Sequence, residues 1–327
     1  MKKIILLFSL CILAVTSATM AQKKTYEFAH EKQVSKTYAL SSSDKISISN
    51  QFGDVVVKTW SNNEIKVDVS IKISSDIQEV ADNLFANIEI DNGKKGNEVY
   101  FKTRMENTND QKRGYRGSSN SSININYTIM MPAGQELDIA NKFGKMTLPD
   151  LSGKVSIKEE FGGLVAGKLS NPQDIDVRFS TLEIDGLQNG SLDLQFIKNV
   201  ALIKNATGTL TLNAKFCKDN GVIIPTNGLQ SLDAKLEHSL VYLVAPKDAQ
   251  MEANVKTHFG SFKNKTDLKF QDDVEDDNRR SPRFDYKYFY TSPQPRTKVT
   301  MKGNFTDFIV THDIPELKDY NKKTVSL

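Results

Sequence analysis

The stretch Leu137-Asp138-Ile139-Ala140-Asn141-Lys142-Phe143-Gly144 is the clearest copy of a pattern that recurs through the second half of the chain. Apolar and polar residues alternate up to a phenylalanine, and a small residue usually follows it. The aromatic position then recurs at steps of 18, 18, 17, 20, 22 and 21 residues, at Phe161, Phe179, Phe196, Phe216, His238 and Phe259. Strand-like alternation with a period of about 20 residues is typical of stacked β-repeats.

Each repeat has the same internal arrangement. One strand ends at the aromatic residue, the chain bends at the small residue, and a second strand begins. Ile175, Val177 and Phe179 share one parity, so we expect each phenylalanine on the buried side of its strand. Turns stacked about 4.8 Å apart would then place the rings over one another. The pattern predicts an all-β solenoid of about 18–22 residues per turn, and an antiparallel sandwich is the alternative.

The N-terminus has the features of a secretory signal peptide. Lys2 and Lys3 precede an apolar run over residues 4–15, and small residues lead to Ala21, after which we expect cleavage. A membrane anchor is the alternative, but the run is short for a bilayer span. We therefore expect an exported protein, periplasmic, outer-membrane-associated or extracellular, with no integral membrane segment after cleavage.

The net charge and the cysteine content bear on possible partners and on how the fold is stabilised. Removing Lys2 and Lys3 lowers the formal net charge from +3 to +1. A near-neutral chain gives no electrostatic reason to bind nucleic acid. Only Cys217 remains after cleavage, so no internal disulfide is expected, and the core must stabilise the fold unaided.

The remaining organisation is predicted as follows. A polar N-terminal arm covers residues 22–44, and a β-rich segment covers 45–134, with one helix at 76–86 in which Ser75 and Gln78 form a capping box. Asn92-Gly93 is a candidate hairpin turn. The solenoid covers 135–312 with an insertion at 263–296 and a last repeat ending at Phe305, and 313–327 is a polar tail.

The polar columns beside the aromatic residues are where a carbohydrate-cleaving β-helix would hold its catalytic site. A polysaccharide-acting β-helix needs paired carboxylates on one face. The residue before each aromatic is instead mixed in charge, and so is the residue three before it, which runs through Ala140, Lys158, Asp176, Asp193, Asn213, Lys235 and Lys256. Mixed columns indicate a solvated face rather than a catalytic one.

The insertion carries two further candidates. The acidic run over residues 272–277 could bind Ca²⁺ through several oxygens, although it lacks the spacing of a calcium loop, and a solvated loop is the alternative. Tyr286, Tyr288 and Tyr290 share one side of an alternating strand and are the candidate partner-binding residues. A strand that caps or edges the sheet is the other interpretation.

No catalytic, cofactor-binding or metal-binding residue is predicted. His238 and His258 fall in different columns without a third ligand, whereas zinc needs at least three protein ligands. Cys217 occupies the small-residue position and is expected to be a buried core residue. No phosphate loop, nucleophile elbow or metalloprotease motif is present.

The chain resembles the putative-adhesin family of bacterial exported β-solenoid domains. The resemblance is carried by residues 49–55 (SNQFGDV) followed by Trp60, by Pro132-Ala133-Gly134 leading to residues 141–145 (NKFGK), and by the repeat from 137 to about 262. It covers roughly residues 45–310. It implies a right-handed single-stranded β-helix, export, and no catalytic residues to transfer, and the insertion at 263–296 departs from it.

These observations favour a non-enzymatic, exported cell-envelope or surface protein, an adhesin-like binding or structural module for a protein or glycan partner. Two alternatives stay open at this point. One is a polysaccharide-acting β-helix enzyme, and the other is a periplasmic accessory of an envelope-stress system, which sequence alone does not separate from an adhesin-like module.

Overall fold

The computed structural model describes residues 27–105, 120–272 and 285–317. The predicted signal peptide, residues 273–277 of the acidic run and most of the polar tail lie outside these ranges. Within them the protein is all-β apart from a single α-helix, which confirms that part of the predicted fold class. None of the helical structure in these ranges is long and apolar enough to cross a membrane.

The N-terminal third contains seven strands and the helix. They are β1 (Phe28–Ala39), β2 (Lys45–Gln51), β3 (Val55–Trp60), β4 (Glu64–Ser75), α1 (Gln78–Ala86), β5 (Ile88–Lys95), β6 (Glu98–Met105) and β7 (Ser121–Pro132).

The rest of the described chain contains seventeen strands. They are β8 (Glu136–Lys142), β9 (Lys145–Leu148), β10 (Leu151–Glu160), β11 (Gly163–Arg178), β12 (Thr181–Gln188), β13 (Ser191–Gln195), β14 (Ala201–Ile203), β15 (Ala206–Lys215), β16 (Val222–Pro225), β17 (Leu229–Glu237), β18 (Leu240–Val244), β19 (Met251–His258), β20 (Phe262–Asn264), β21 (Gln271–Asp272), β22 (Asp285–Thr291), β23 (Thr297–Asn304) and β24 (Asp307–Thr311).

Two long ladders of parallel strands organise the molecule. The first ladder begins with β6 and continues with the strands that lead to an aromatic position, in the spatial order β6, β2, β8, β10, β11, β13, β15, β17, β23 and β19. The second ladder begins with β7 and continues with the strands that follow an aromatic position, in the order β7, β3, β9, β11, β12, β14, β16, β18, β24 and β20. Both ladders belong to one sheet.

Some strands continue around a corner and take part in more than one set of pairings. β11 spans sixteen residues and pairs with β12 through its first half and with β13 through its second half. β15 in turn pairs with both β12 and β13. These four parallel strands therefore form a closed set within the larger sheet.

Antiparallel strands cover both ends of the first ladder and the start of the second. β5 pairs with β6, and β22 and then β21 continue from β19, at opposite ends of the first ladder. β4 pairs with β7 and β1 pairs with β4 at the start of the second ladder. The predicted N-terminal arm at 22–44 thus includes a twelve-residue strand that is hydrogen-bonded along its whole length.

Strict alternation explains the core. Leu137 and Ile139, or Ile175 and Val177, point inward while their polar neighbours face outward, and the inward side chains of all turns join into one cluster from Leu40 to Val310. Stacking gives each turn an apolar surface on both sides, which no repeat could bury alone.

The final repeat is not last in space. The sequence places the copy that ends at Phe305 after the copy that ends at Phe259. In the structure, β23 lies between β17 and β19 and is parallel to both. After β19 the chain passes through the insertion and returns as β23 between two earlier strands. This is possible because β23 has the same apolar/polar alternation as the other strands of the ladder and can pair with any of them.

Three local predictions are corrected. The helix begins at Gln78 rather than residue 76, with Ile77 as its N-cap and no capping side chain. The Ser75 hydroxyl, predicted to cap it, is buried and donates to the Asn120 carbonyl. The hairpin turns at Gly96, which has a φ of 57°, and not at Asn92-Gly93, which pair within the ladder because the strands extend further.

Candidate binding surface

Nine aromatic rings form a continuous stack along the edge where the first ladder meets the second. We call it the aromatic column. Neighbouring ring centroids are 4.7–5.2 Å apart and the ring planes differ by 3–18°. The order along the column is Phe52, Phe143, Phe161, Phe179, Phe196, Phe216, His238, Phe305 and Phe259.

All nine residues adopt a left-handed backbone conformation, with φ between 46° and 64°. Bulky residues rarely enter this region. Eight of the nine amides nevertheless donate to a carbonyl of the neighbouring turn, as when Phe161 donates to the Arg178 carbonyl at 3.1 Å. The left-handed residue interrupts the alternation, so the ring points outward and the next residue points inward.

This geometry corrects the expectation that the phenylalanines are buried. Ile175 and Val177 are buried as predicted, but Phe179 is turned to the opposite side of the strand. Six of the phenylalanines are 39–45% exposed, namely Phe143, Phe161, Phe196, Phe216, Phe259 and Phe305. The column is therefore a half-exposed apolar stripe on the surface, outside the core.

Small residues after the column fill the inside of the corner. The Ser180 hydroxyl donates to the Arg178 carbonyl at 2.8 Å, and the Ser239 hydroxyl donates to the Glu237 carbonyl at the same distance. Thr306 makes the equivalent bond to Asn304 at 2.9 Å. At Gly162 a Cβ would lie 1.7 Å from the Gly144 carbonyl oxygen, so only glycine fits there.

The stacking determines which part of each ring a partner can reach. The seven internal rings have neighbours on both faces, so the surface presented to solvent consists of ring edges. Sugars and quaternary ammonium groups are recognised by exposed ring faces. Ring edges carry the positive end of the quadrupole and suit apolar side chains or other ring faces.

The charged residues that border the column are arranged as ion pairs. Glu160 lies 3.5 Å from Lys142 and 3.2 Å from Lys158, and Glu237 lies 3.2 Å from Lys215. Partial burial alone would raise the pKa of Glu160, but the two lysines hold it below its usual range. Carboxylates that are paired in this way neutralise the surface rather than serve as a general acid and base.

A buried polar ladder lies behind the N-terminal end of the column. The Asn50 amide donates to the Asn141 side-chain oxygen at 3.1 Å, and Thr103 donates to the Asn50 side-chain oxygen at 3.0 Å. The next strand places Glu159 beside Asn141. All four side chains are buried.

Glu159 is the most perturbed ionisable group of the described residues. Desolvation raises its pKa to about 9, only partly opposed by the Asn141 amide and the Gly163 N–H, which reaches Oε1 at 3.2 Å. Its other oxygen makes no hydrogen bond with the described residues. Glu159 is therefore protonated and neutral at neutral pH. The sequence contained a signal for it, since Asn50, Asn141 and Glu159 are polar at an inward position.

The predicted partner-binding tyrosines lie on β22, which pairs antiparallel with β19. Tyr288 stacks on Phe262 with centroids 4.2 Å apart, and Tyr290 packs near Phe270. Tyr286, Tyr288 and Tyr290 are half-buried on the side toward the core, whereas Phe289 is exposed on the other side. A role for these tyrosines in partner binding stays a prediction.

The other candidate chemistry is accounted for by local contacts. His258 pairs with Asp285 at 2.6 Å, His238 belongs to the column, and Cys217 is buried in the core cluster. Among the described residues no group of three or more His, Cys, Asp or Glu side chains could hold a metal ion. Of the acidic run, only Asp272 is described, in β21.

One surface depression of about 490 Å³ adjoins the start of the ladders. It is lined by backbone and neutral side chains, which include Ser41, Asn63 and Gln135. It contains no carboxylate, histidine or cysteine, so it offers no group for acid–base or nucleophilic chemistry.

No known protein-family model and no curated protein matches the chain. Among solved structures, it is similar to a putative adhesin from Bacteroides fragilis, with 13% identity and a TM-score of 0.40 over 85% of this chain and 97% of that one. It is also similar to a putative lipid binding protein from Parabacteroides distasonis, with 9% identity and a TM-score of 0.35 over 85% of this chain and 96% of that one. A third similar structure is a putative cell adhesion protein from Clostridium sporogenes, with 12% identity and a TM-score of 0.26 over 86% of this chain and 99% of that one. These remote similarities assign neither a family nor a function.

Proposed function

We propose that this protein is a non-enzymatic, exported binding module that holds a protein partner against its aromatic column. The observation that supports this most directly is the exposure of six column phenylalanines by 39–45% in one continuous stripe. Nine rings at ladder spacing make the stripe about 40 Å long. Contiguous exposed apolar surface of this kind marks interaction sites on soluble proteins.

The scaffold that we propose is a right-handed, single-stranded β-solenoid with about 18–22 residues per turn. Parallel register from β8 through β17 supports the repeated winding. Right-handed crossovers are strongly preferred between parallel strands. Such a scaffold is rigid, so the column is preorganised and a partner meets little entropic cost from the protein side.

The backbone conformation of the column supports a role beyond structure. Left-handed positions are normally filled by Gly, Asn or Asp, which adopt them at low cost. This chain instead uses Phe at eight of the nine positions and His at one. Local strain that is retained at repeated, exposed positions is typical of functional surfaces.

The ring edges favour a protein over a glycan as the partner at this site. Carbohydrate stacking needs open aromatic faces, and the internal rings cover each other's faces. An apolar ridge on a protein, or a strand with large side chains, would pack along the edges. The predicted signal peptide would deliver the module to the envelope or the cell surface, where such partners are available.

The test compares two triple variants of residues 22–327. Phe143→Asn/Phe161→Asn/Phe179→Asn removes three rings while keeping a residue that tolerates the left-handed conformation. The control, Thr147→Asn/Val165→Asn/Glu183→Asn, introduces three asparagines on the outer face of the second ladder in the same three turns.

Both variants and the parent would be measured by biolayer interferometry against a panel of purified extracellular-matrix proteins and envelope proteins. We expect at least one partner whose affinity falls at least tenfold in the column variant and less than twofold in the control. Equal affinity of the folded column variant and the parent would contradict the proposal. Release of reducing ends from cell-wall or plant polysaccharides would overturn the non-enzymatic assignment.

A further inference from the structure

Four lysines stand side by side on the outer face of the first ladder, near its C-terminal end. Lys235 of β17 is directly opposite Lys302 of β23, Lys302 is opposite Lys256 of β19, and Lys256 is opposite Lys287 of β22. We call this set the lysine row. All four side chains are exposed. They extend from backbone positions on neighbouring strands, which lie about 4.8 Å apart.

The row arises from the strand order and is invisible along the sequence. In chain order, Lys235 and Lys256 end a mixed column, and Lys302 belongs to a later repeat. In the structure β23 lies between β17 and β19, so Lys302 lies between Lys235 and Lys256. Two lysines that belong to a mixed column in the sequence are thus part of a continuous line of four lysines in the structure.

Local acids in the described ranges do not pair with the first three lysines of the row. Within the described residues, Lys235, Lys302 and Lys256 form no ion pair. The acids nearest in the adjoining row are engaged elsewhere, since Glu237 pairs with Lys215 at 3.2 Å and Asp285 pairs with His258 at 2.6 Å.

The other side of the row carries further charged groups on the same outer face. Asp233 precedes Lys235 by two residues on the same side, and Glu252 is opposite Lys298 in the register of β19 and β23. Like charges directly opposite each other destabilise a sheet. The alignment of the row is therefore unfavourable for the isolated protein, which suggests that an anionic ligand offsets it.

The row is bordered by neutral hydrogen-bonding groups. Thr300 and Asn254 lie on one side of it, and Asn304 lies on the other, all facing outward. Phe289, 39% exposed and opposite Asn254, adds a flat apolar surface on the same face. Hydroxyl and amide groups beside a line of cations match a chain that carries both acidic groups and many hydroxyls.

We infer that the lysine row binds a linear anionic glycan, with carboxylate or sulfate groups on the ammonium line and sugar hydroxyls on the flanking Thr and Asn side chains. Lysine contributes point charges without the planar fork that arginine offers to phosphate. Single-stranded nucleic acid would need several aromatic side chains interleaved with the basic ones, and the row has one ring beside it. This site is separate from the aromatic column and does not depend on it.

The experiment uses polygalacturonate and dextran sulfate as probes for residues 22–327, measured by isothermal titration calorimetry at low and at physiological salt. The test variant is Lys235→Gln/Lys302→Gln/Lys256→Gln. The control is Lys142→Gln/Lys158→Gln/Lys215→Gln, which removes the same net charge from lysines of the same ladder that are held in ion pairs.

We expect the parent to bind at least one of these glycans, the row variant to lose at least tenfold in affinity with a shallower salt dependence, and the control to stay within twofold. The row variant should also melt at or above the temperature of the parent, because repulsion is relieved, whereas the control should melt slightly lower. This second measurement shows that the row variant is folded.

Three results would overturn the inference. The first is no binding of either glycan by the parent. The second is an equal loss in both variants, which would indicate attraction to overall charge. The third is equally tight, row-dependent binding of polyglutamate or single-stranded DNA, which would show that the row reads charge on other classes of polymer and not an anionic glycan.

Discussion

Phe179 shows at the scale of one residue what holds the column together. Its φ is 52°, and its ring stacks on Phe161 and Phe196 at 4.8 and 4.7 Å. A left-handed L-residue costs about 1–2 kcal/mol, and each aromatic pair contributes about 0.5–1.5 kcal/mol. The two contributions nearly balance, so the stack offsets its own backbone strain.

We therefore expect Phe179→Ala to lower the free energy of unfolding by about 1–3 kcal/mol, since two stacking contacts are lost while the strain remains. Phe179→Asn should be less destabilising than Phe179→Ala by about 0.5–1 kcal/mol, because Asn tolerates the left-handed region. Urea denaturation of both variants measures this. A loss of 3–5 kcal/mol in Phe179→Ala would instead be typical of a fully buried ring.

The direction of this side chain could not be predicted from alternation. Parity places Phe179 with Ile175 and Val177 only while the backbone stays extended, and the sequence gives no local sign that a phenylalanine is left-handed. The stacking itself was predictable from the period, and so was the replacement of one ring by His238. Glu159 was also within reach, because its position relative to Phe161 is an inward one.

Glu159 makes the stability depend on pH. Its pKa is about 9 in the folded protein and 4.5 in its ordinary state, so the folded state retains a proton that the unfolded state releases. The contribution of Glu159 to stability is therefore greatest below about pH 4.5 and falls as the pH rises toward about 9, by at most about 1.4 kcal/mol per pH unit. Above that range the carboxylate is charged in both states.

We expect Glu159→Gln to remove most of this decline, so that the variant becomes increasingly more stable than the parent as the pH rises. Melting temperatures between about pH 5 and about pH 9 measure the difference. Glu160→Gln is the matched control. The pKa of Glu160 is lowered, so its contribution is lost only in acid, and the parent slope should persist. Parallel curves for the parent and Glu159→Gln would show that Glu159 is not buried as a neutral acid.

At the scale of elements, β23 has the most consequential position. It is hydrogen-bonded to β17 on one side and β19 on the other, although it is among the last strands made. Sequence reasoning placed it at the end of the stack because a repeat carries no label of its neighbours. Strand order was therefore beyond reach from the pattern, whereas the strands themselves were readily predicted.

The position of β23 predicts its hydrogen exchange. Amides of Thr297–Asn304 should exchange at rates similar to those of β17 and at least tenfold more slowly than those of β22, since within the described ranges β22 is paired along its length with β19 on one side and with the two residues of β21 on the other. Hydrogen–deuterium exchange with mass spectrometry resolves these peptides. Faster exchange in β23 than in β22 would be incompatible with a strand enclosed on both sides.

At the scale of the whole molecule, one uninterrupted core decides how the protein unfolds. The inward side chains form a single cluster from Leu40 to Val310, without a break between the N-terminal strands and the repeats. Stacked repeats are coupled through their nearest neighbours, so a turn that opens exposes the apolar surface of two others. Antiparallel strands also cover both ends of the first ladder and the start of the second. We therefore expect unfolding as one cooperative unit.

Cys217 is a natural reporter for this prediction. It is buried in the middle of the stack, and burial raises the pKa of its thiol, so it should not react with a thiol reagent in the folded protein. For residues 22–327, we expect the urea midpoint for labelling of Cys217 to coincide with the midpoint from far-UV circular dichroism. A second reporter, Ala166→Cys in a Cys217→Ser background, lies in β11 at an equally buried position and should give the same midpoint. If the two cysteines became reactive at different urea concentrations, the stack would be opening in segments, and the coupling between turns would be weaker than the continuous core implies.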